Sequence, residues 1–221
     1  METSKRALPF AHAVTEGAFD PQLVAQAAAD WPGPGWPEWV RYDTPLERKR
    51  ACNLWDRMPR PCALLLARLL QLPVWELLGQ DRDPLLLADG SLYGGGLHDM
   101  GAGDHLDCHL DADRHPRFGL QRRYNAILFL GACPGGELEL WDAGRREAVA
   151  IRPAAGRLVA FEAGDQSYHS VARVYGPRKS LAAYWWGTPR GGGKRPRATF
   201  LARPGEAPDP EKDRLRGERG H

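Results

Sequence analysis

From Ser91 onward, glycine-rich turns cut the chain into short strand-length runs, and this punctuation limits the fold more than any other feature. The runs are YGGGL (93–97), HLDCHLD (105–111), YNAILFL (124–130), GELELW (136–141), EAVAIRP (147–153), RLVAFEA (157–163), YHSVARV (168–174) and SLAAYWW (180–186). Runs this short and this closely spaced predict an antiparallel barrel or jelly roll rather than a helical bundle. YNAILFL is almost continuously apolar, which places it centrally, whereas GELEL alternates and should keep one face polar. Gly (25) and Pro (19) make up about a fifth of the 221 residues, in keeping with a turn-rich fold.

Residues 1–90 read differently, as a mixed front with helices. Asp20-Pro21 is an N-cap followed by proline at N1, and Leu23, Val24, Ala27 and Ala28 then share one side of a helix running to about Ala29. WPGPGWPEW (31–39) is a loop. Leu65, Leu66, Leu69 and Leu70 mark a second helix over 60–72, and a short third one follows Pro73. The organisation expected is one domain over residues 1–190, with helical support in 1–90 and the β core in 91–187. Residues 188–221 are charged and rich in Gly and Pro, and should form a mobile tail; its cluster Lys194, Arg195 and Arg197 reads as solvated.

Composition excludes several classes. Basic and acidic residues number 30 and 28, so nothing calls for nucleic acid or an anionic membrane. The longest apolar stretch, Cys62 to Leu72, is broken by Arg68 and Gln71 and falls short of the ~20 residues that span a bilayer. The start METSKRALPF has no apolar stretch of the secretory kind. Cys52, Cys62, Cys108 and Cys133 show no CxxC spacing, so free thiols in a reducing cytoplasm are expected.

The densest polar cluster is DHLDCHLD, residues 104–111. On a strand, positions i and i+2 share a face about 6–7 Å apart, so His109 and Asp111 could grip a metal together. Simple alternation puts a second copy, His105 and Asp107, on the same face, and only one copy can be the site. The next histidine, His169, opens a later run, and nine residues beyond it stands Arg178. Two imidazoles and one carboxylate leave open positions on an octahedral ion, the arrangement suited to non-haem Fe(II). A guanidinium in the same pocket can clamp a carboxylate with both arms. Lys179 is the rival for that role; Arg178 shares a face with Ser180, Ala182 and Tyr184, while Lys179 shares one with Leu181 and Ala183. On the central run, Asn125, Ile127 and Phe129 share a face and could wall the same pocket.

In these features the chain resembles the Fe(II)- and 2-oxoglutarate-dependent dioxygenases, in particular their prolyl 4-hydroxylase-like branch. The resemblance rests on H-x-D at 109–111, His169, Arg178, and the segments YGGGLH (93–98), RRYNAILFL (122–130), GGELELW (135–141), IRPAAGRLVAF (151–161), RKSLAAYWW (178–186) and TFLARPGE (199–206). It implies a mainly β fold with a helical front (α+β): a double-stranded β-helix, jelly-roll or cupin-like, with the N-terminal helices packed on one sheet. It implies Fe(II) on His109, Asp111 and His169; the shorter link to the strand at 122 favours that pair over His105 and Asp107. It implies 2-oxoglutarate held by Arg178, near Asn125, Ile127, Phe129, Ser180 and Tyr184, with O2 as second cosubstrate.

Some relatives carry a Tyr at the place of Phe129, and Tyr93, Tyr124 or Tyr184 would have to replace its hydrogen bond if packing did not claim them. Related halogenases have Gly or Ala where Asp111 stands, so a carboxylate there implies hydroxylation. The substrate implied is an amino acid, a peptidyl prolyl group or a small metabolite. His98, His105 and Arg122, in a run with Arg114, His115, Arg117 and Arg123, are candidates for orienting it, against the plainer reading of a solvated loop. Cys108 should point away from the metal pair, and Trp141, Trp185 and Trp186 should pack in the core or at its rim. The alternative function is a jelly-roll binding protein without catalysis or with a different metal. Several His ligands and no Arg clamp would mark another cupin-like enzyme, and the His-x-Asp order with Arg178 counts against it.

Overall fold

The structure, a computed structural model, describes residues 1–191 and 195–219. In chain order it contains β1 (Glu2–Arg6), β2 (His12–Glu16), α1 (Pro21–Ala29), β3 (Val40–Thr44), β4 (Glu47–Cys52), α2 (Arg60–Leu70), α3 (Val74–Leu77) and β5 (Leu87–Ala88). Then follow β6 (Gly96–Met100), β7 (His105–Leu110), β8 (Gln121–Phe129), β9 (Leu138–Trp141), β10 (Ala148–Ile151), β11 (Leu158–Glu162), β12 (His169–Val171), β13 (Arg178–Gly187), β14 (Thr199–Phe200) and α4 (Pro210–Arg219).

The strands join one curled antiparallel sheet in the order β1-β2-β11-β8-β13-β6-β4-β7-β12-β9-β10, with β3 on β4, β5 on β13 and β14 on β7. The eight runs of the sequence are β6 to β13, and β8 is central, flanked by β11 and β13. This is the expected double-stranded β-helix.

Alternation along three neighbouring strands explains the layers. Ala126 and Leu128 of β8, Leu158 and Ala160 of β11, and Leu181, Ala183 and Trp185 of β13 face the helices. There they meet Leu23, Val24 and Ala27 of α1 and Leu65, Leu66 and Leu69 of α2. Those three leucines of α2 are fully buried, and each contributes roughly 1.5–3 kcal/mol by leaving water. Asp20 caps α1 by accepting the Gln22 N–H at 2.9 Å, as its place before proline predicts. The opposite faces turn into the barrel, where Phe129, Val159 and Phe161 pack with Leu138, Leu140 and Ile151 of the facing strands. Gly96 has φ +102°, and a Cβ there would lie 2.1 Å from the Cys52 carbonyl oxygen; only glycine lets β6 lie this close to β4.

Two regions differ from the sequence reading. The front is not helical support alone: β2 extends the sheet beyond β11, and β4 bridges β6 and β7. β1 (ETSKR) and β4 (ERKRAC) are polar, and β2 (HAVTE) is short and mixed, so apolar alternation could not announce them. The tail is not free either. β14 pairs with β7, and α4 is held by ion pairs to Asp107 of that strand, Lys212 at 2.7 Å and Arg216 at 3.5 Å. Of the basic cluster, Arg195 pairs with Asp165 and Asp113, Arg197 is exposed, and Lys194 lies outside the described residues.

Candidate active site

A cavity of about 510 Å³ opens between the two layers of the barrel. Its walls include His109, Asp111, His169, Asn125, Ile127, Arg178, Ser180 and Tyr184, and nearer the mouth Tyr42, Lys49, Tyr93, His98, Arg122 and Arg197.

His109 sits on β7 opposite His169 of β12, and Asp111 follows just past the end of β7. One potential ligand atom from each lies within 4.8 Å of the others, the one such group of three or more His, Cys, Asp or Glu among the described residues. The Nδ1 of His109 lies 2.9 Å from the Asp107 carbonyl and the Nδ1 of His169 2.8 Å from the Ser167 carbonyl. A carbonyl only accepts, so both Nδ1 atoms carry a proton and both Nε2 atoms face the acid. Asp111 lies 3.6 Å from the His109 Nε2 through Oδ1 and 3.5 Å from the His169 Nε2 through Oδ2. Oδ2 also accepts from the Asn125 amide at 2.6 Å and pairs with Arg122 at 3.3 Å. Burial works against ionising Asp111, but Arg122, His169 and His109 outweigh it and hold the carboxyl well below its usual range. Burial and the neighbouring His109 push His169 down to about 4, so its imidazole is neutral at pH 7. Two imidazoles that turn Nε2 toward one ionised carboxylate fit Fe(II) and leave further positions for other ligands.

The duplicate motif points elsewhere, and a β-bulge is the cause. His169 pairs with His109 while Val171, two residues on, pairs with Leu106, three residues back. The extra residue at 107–108 breaks the alternation. Leu106 thus faces the cavity with His109, whereas His105, Asp107 and Cys108 face outward. The His105 Nε2 bonds the Pro45 carbonyl at 2.9 Å, and Asp107 bonds α4. Cys108 points away from the cavity, as expected.

A second bulge selects the arginine of β8. Tyr184 pairs with Asn125 and Trp186 with Arg122, so Arg123 is the extra residue. Strict alternation from Asn125 would send Arg123 into the cavity; instead Arg122 enters, and Arg123 turns to Asp83 at 3.4 Å. The loop run is therefore not uniformly solvated. Arg122, Arg123 and His115 are buried, and the Arg122 guanidinium lies 3.7 Å from the Tyr184 ring centre. Pro116 to Gly119 alone fit the solvated picture.

Arg178 is 3% exposed. Its Nε donates to the Gly136 carbonyl at 2.8 Å, its Nη1 to the Ser180 hydroxyl at 3.3 Å, and its guanidinium lies 4.9 Å from the Phe129 ring centre. The Nη2 is buried with no hydrogen-bond partner among the described residues. Burial lowers this group to about 10, still cationic at pH 7. A buried arginine with one arm unanswered fits an anionic ligand better than it fits the protein alone. At Gly136 a Cβ would come within 2.9 Å of the Arg178 side chain, so glycine admits this contact. Lys179 faces the helices and donates to the Ala28 carbonyl at 2.8 Å.

The remaining candidates divide. Asn125, Ile127, Ser180 and Tyr184 line the cavity, while Phe129 stands behind Arg178 in the inner core. Tyr124 faces the other way and bonds Gln80, Tyr93 bonds the Pro196 carbonyl, and Tyr184 bonds the Gly94 carbonyl. Thus none of the three tyrosines bonds Arg178; its neighbour is Met100, whose sulfur lies 3.9 Å from Nη1. His98 is half-buried in the wall, and burial and Lys49 push it down to about 3. Sequence reasoning missed Lys49 and Tyr42, which lie on strands it did not foresee, and Phe200, which stacks on His109 at 5.4 Å.

Residues 95–186 match the family model of the 2OG-Fe(II) oxygenase superfamily, and that span holds all three candidate ligands and Arg178. No curated protein matches the chain. Among solved structures, a Pseudomonas putida prolyl-4-hydroxylase is similar with TM-score 0.58 and 21% identity, over 81% of this chain and 93% of that one. A prolyl hydroxylase from Trichoplax adhaerens, solved with a hypoxia inducible factor oxygen degradation domain peptide, gives 0.55 and 16%, over 79% and 83%. The non-heme alpha ketoglutarate dependent carbocyclase SnoK from nogalamycin biosynthesis gives 0.56 and 15%, over 92% and 86%. At these identities the likeness is one of fold. The fold, the convergent side chains and the matched span make the chain similar to the 2-oxoglutarate-dependent oxygenases, an enzyme class that uses Fe(II), 2-oxoglutarate and O2. In fold it resembles the prolyl 4-hydroxylase-like branch of that class.

Proposed function

We propose that this chain is a hydroxylase that inserts oxygen into an unactivated C–H bond of an amino acid, a peptidyl prolyl group or a small metabolite, with release of succinate and CO2. The carrying observation is one cavity with two matched ends: three convergent ligand atoms at one, and the unanswered Nη2 of a buried Arg178 at the other. Bound between them, Fe(II) and 2-oxoglutarate supply the oxidative decarboxylation that activates O2 for attack on the substrate.

In this reading the protein contributes positions and charges. His109 and His169 each offer Nε2, with the tautomer fixed by the Asp107 and Ser167 carbonyls. Asp111 offers Oδ1, because Asn125 and Arg122 already engage Oδ2. Arg178 receives the distal carboxylate of 2-oxoglutarate, and Phe129 backs the guanidinium. Ile127 and Tyr184 exclude water beside it, and Ser180 shares the arginine's Nη1. No side chain is required as a general acid or base beyond the metal ligands. A carboxylate at 111 fills the third protein position and so favours hydroxylation. His98 and Arg122 border the space left for substrate, whereas His105 takes no part in this scheme. Among the described residues no helix is long and apolar enough to cross a membrane, and the four unpaired cysteines fit a reducing cytoplasm.

The test is an anaerobic titration of the full chain with Fe(II) and 2-oxoglutarate, following the visible charge-transfer band of the chelate. The band is expected in the parent, absent in His109→Ala, and shifted to much higher 2-oxoglutarate in Arg178→Ala. A folded parent that gives no band would overturn the reading in favour of a non-catalytic or different-metal binding protein. Screening for substrate-stimulated succinate formation then sorts the three substrate classes.

A further inference from the structure

The C-terminal residues 195–219 lie along the outer side of the strand that carries the candidate ligands. Phe200 of β14 pairs through its backbone with His109, and the Leu201 N–H donates to the Cys108 carbonyl at 2.9 Å. The Phe200 ring is 3% exposed and lies 5.4 Å from the His109 ring at 32°. Arg195 donates its backbone N–H to Asp113 at 2.6 Å and its Nε to the Asp111 carbonyl at 3.3 Å. From α4, Lys212 and Arg216 both reach Oδ2 of Asp107, at 2.7 and 3.5 Å, and both also pair with Glu206.

Asp107 is the joint in this arrangement. Its side chain points outward and is clamped by α4, while its own carbonyl accepts the Nδ1–H of His109 at 2.9 Å. That carbonyl belongs to the bulge, where the β7–β12 ladder is interrupted, although the Asp107 N–H still donates to the Leu46 carbonyl at 2.8 Å. The side-chain clamp by Lys212 and Arg216 adds a second restraint on this residue.

We propose that residues 195–219 are a positioning element of the metal centre: Phe200 fixes the ring plane of His109, and Lys212 and Arg216 fix the Asp107 carbonyl that sets its tautomer. The inference rests on His109 being a metal ligand, as proposed above. Neither Lys212 nor Arg216 lines the cavity, so both act on the ligand only through Asp107. The two ion pairs on Asp107 are partly open to solvent, and salt should weaken them, which ties metal affinity to ionic strength.

The experiment uses the full chain with Co(II) as the probe, without cosubstrate and without oxygen. Co(II) affinity and the visible d–d spectrum are recorded, and the unfolding midpoint of the metal-free protein is measured beside them. Phe200→Leu and the double variant Lys212→Met with Arg216→Met should each bind Co(II) about tenfold or more weakly, with an altered d–d band. Lys212→Arg should retain the parent affinity, and raising salt should weaken the parent but not the double variant. If both changed proteins bind Co(II) within about twofold of the parent, the segment is merely docked and the proposal is overturned, whatever happens to the unfolding midpoint. Should Phe200→Leu fail to fold, the double variant decides, since its side chains lie outside the core. His109→Ala separates the two levels: undiminished Co(II) binding there removes His109 as a ligand and takes both readings down, whereas loss there with unchanged α4 variants removes this inference alone.

Discussion

Arg122 reaches Oδ2 of Asp111 at 3.3 Å while its guanidinium lies 3.7 Å from the ring centre of Tyr184. A buried cation is thus fixed on one oxygen of the acid that lies between two histidines. The contact works on the charge of Asp111 and on its shape, because an oxygen already engaged is a poorer ligand than its free neighbour. Arg122→Met removes the charge and keeps much of the volume. Metal affinity is expected to fall about 10- to 100-fold with the fold retained, as calorimetric titration with Mn(II) and circular dichroism would show. An unchanged affinity would mean that Arg122 serves the substrate side only.

Adjacent residues on β13 face opposite worlds, and two substitutions should separate them. Arg178→Lys replaces a planar fork with a point charge, so the KM for 2-oxoglutarate should rise at least tenfold while the unfolding midpoint moves little. Lys179→Met loses the bond to the Ala28 carbonyl near the end of α1. That costs about 1 kcal/mol, or roughly 2–4 °C, and should leave the KM unchanged. Steady-state kinetics and thermal melts on the same samples distinguish the two.

His105 and His109 occupy equivalent places in two copies of one motif. His105→Ala should bind metal within about twofold of the parent, because its Nε2 is committed to Pro45 on the outer face. His109→Ala should lose most of the affinity. The reverse order, read by equilibrium dialysis, would move the site four residues back.

Asp83 links the helical side of the molecule to the end of β13. It accepts from the Leu85 N–H, from the Thr188 N–H and hydroxyl, and it pairs with Arg123. Burial alone would raise its pKa, but these donors and Arg190 lower it below the ordinary carboxylate value. A depressed folded-state pKa stabilises the protein fully above the unfolded value, about 4, and that gain fades as pH falls through the folded value. Asp83→Asn should therefore be less stable than the parent at pH 7, and the difference should shrink on approach to pH 3. Urea unfolding at the two pH values checks this; an equal difference at both would show that shape, not charge, gives Asp83 its worth.

The β core was legible because its strands obey two simple rules. Ala126, Leu128, Leu181 and Ala183 alternate cleanly with Asn125, Ile127, Ala182 and Tyr184, and the buried face of α2 follows helical spacing. The candidate trio could be singled out because His-x-Asp is short-range and His169 and Arg178 follow at readable separations, and the structure brings the three side chains together. What could not be read were the departures from alternation. Nothing local marks the extra residues at 107–108 and at Arg123; both arise from the partner strand's register. The polar strands and α4 escaped for another reason. ETSKR, ERKRAC and PEKDRLRGER bury little apolar surface and are held by backbone pairing or by ion pairs, so their sequences look like loop and tail.

The bulge at 107–108 has a consequence for how this strand can change over time. Two identical triplets four residues apart would ordinarily be twins on one side; one inserted position makes them back-to-back, one serving the cavity and the other the C-terminal helix. Loss of one residue there would remove the bulge and leave His105 outward and Leu106 inward, because three positions is an odd separation on a strand. Flattening the bulge with both residues kept would instead turn His105 inward and Leu106 outward. The tandem motif therefore rests on an even spacing made odd by one extra residue, and each copy keeps its own side only while that residue stays out of the ladder.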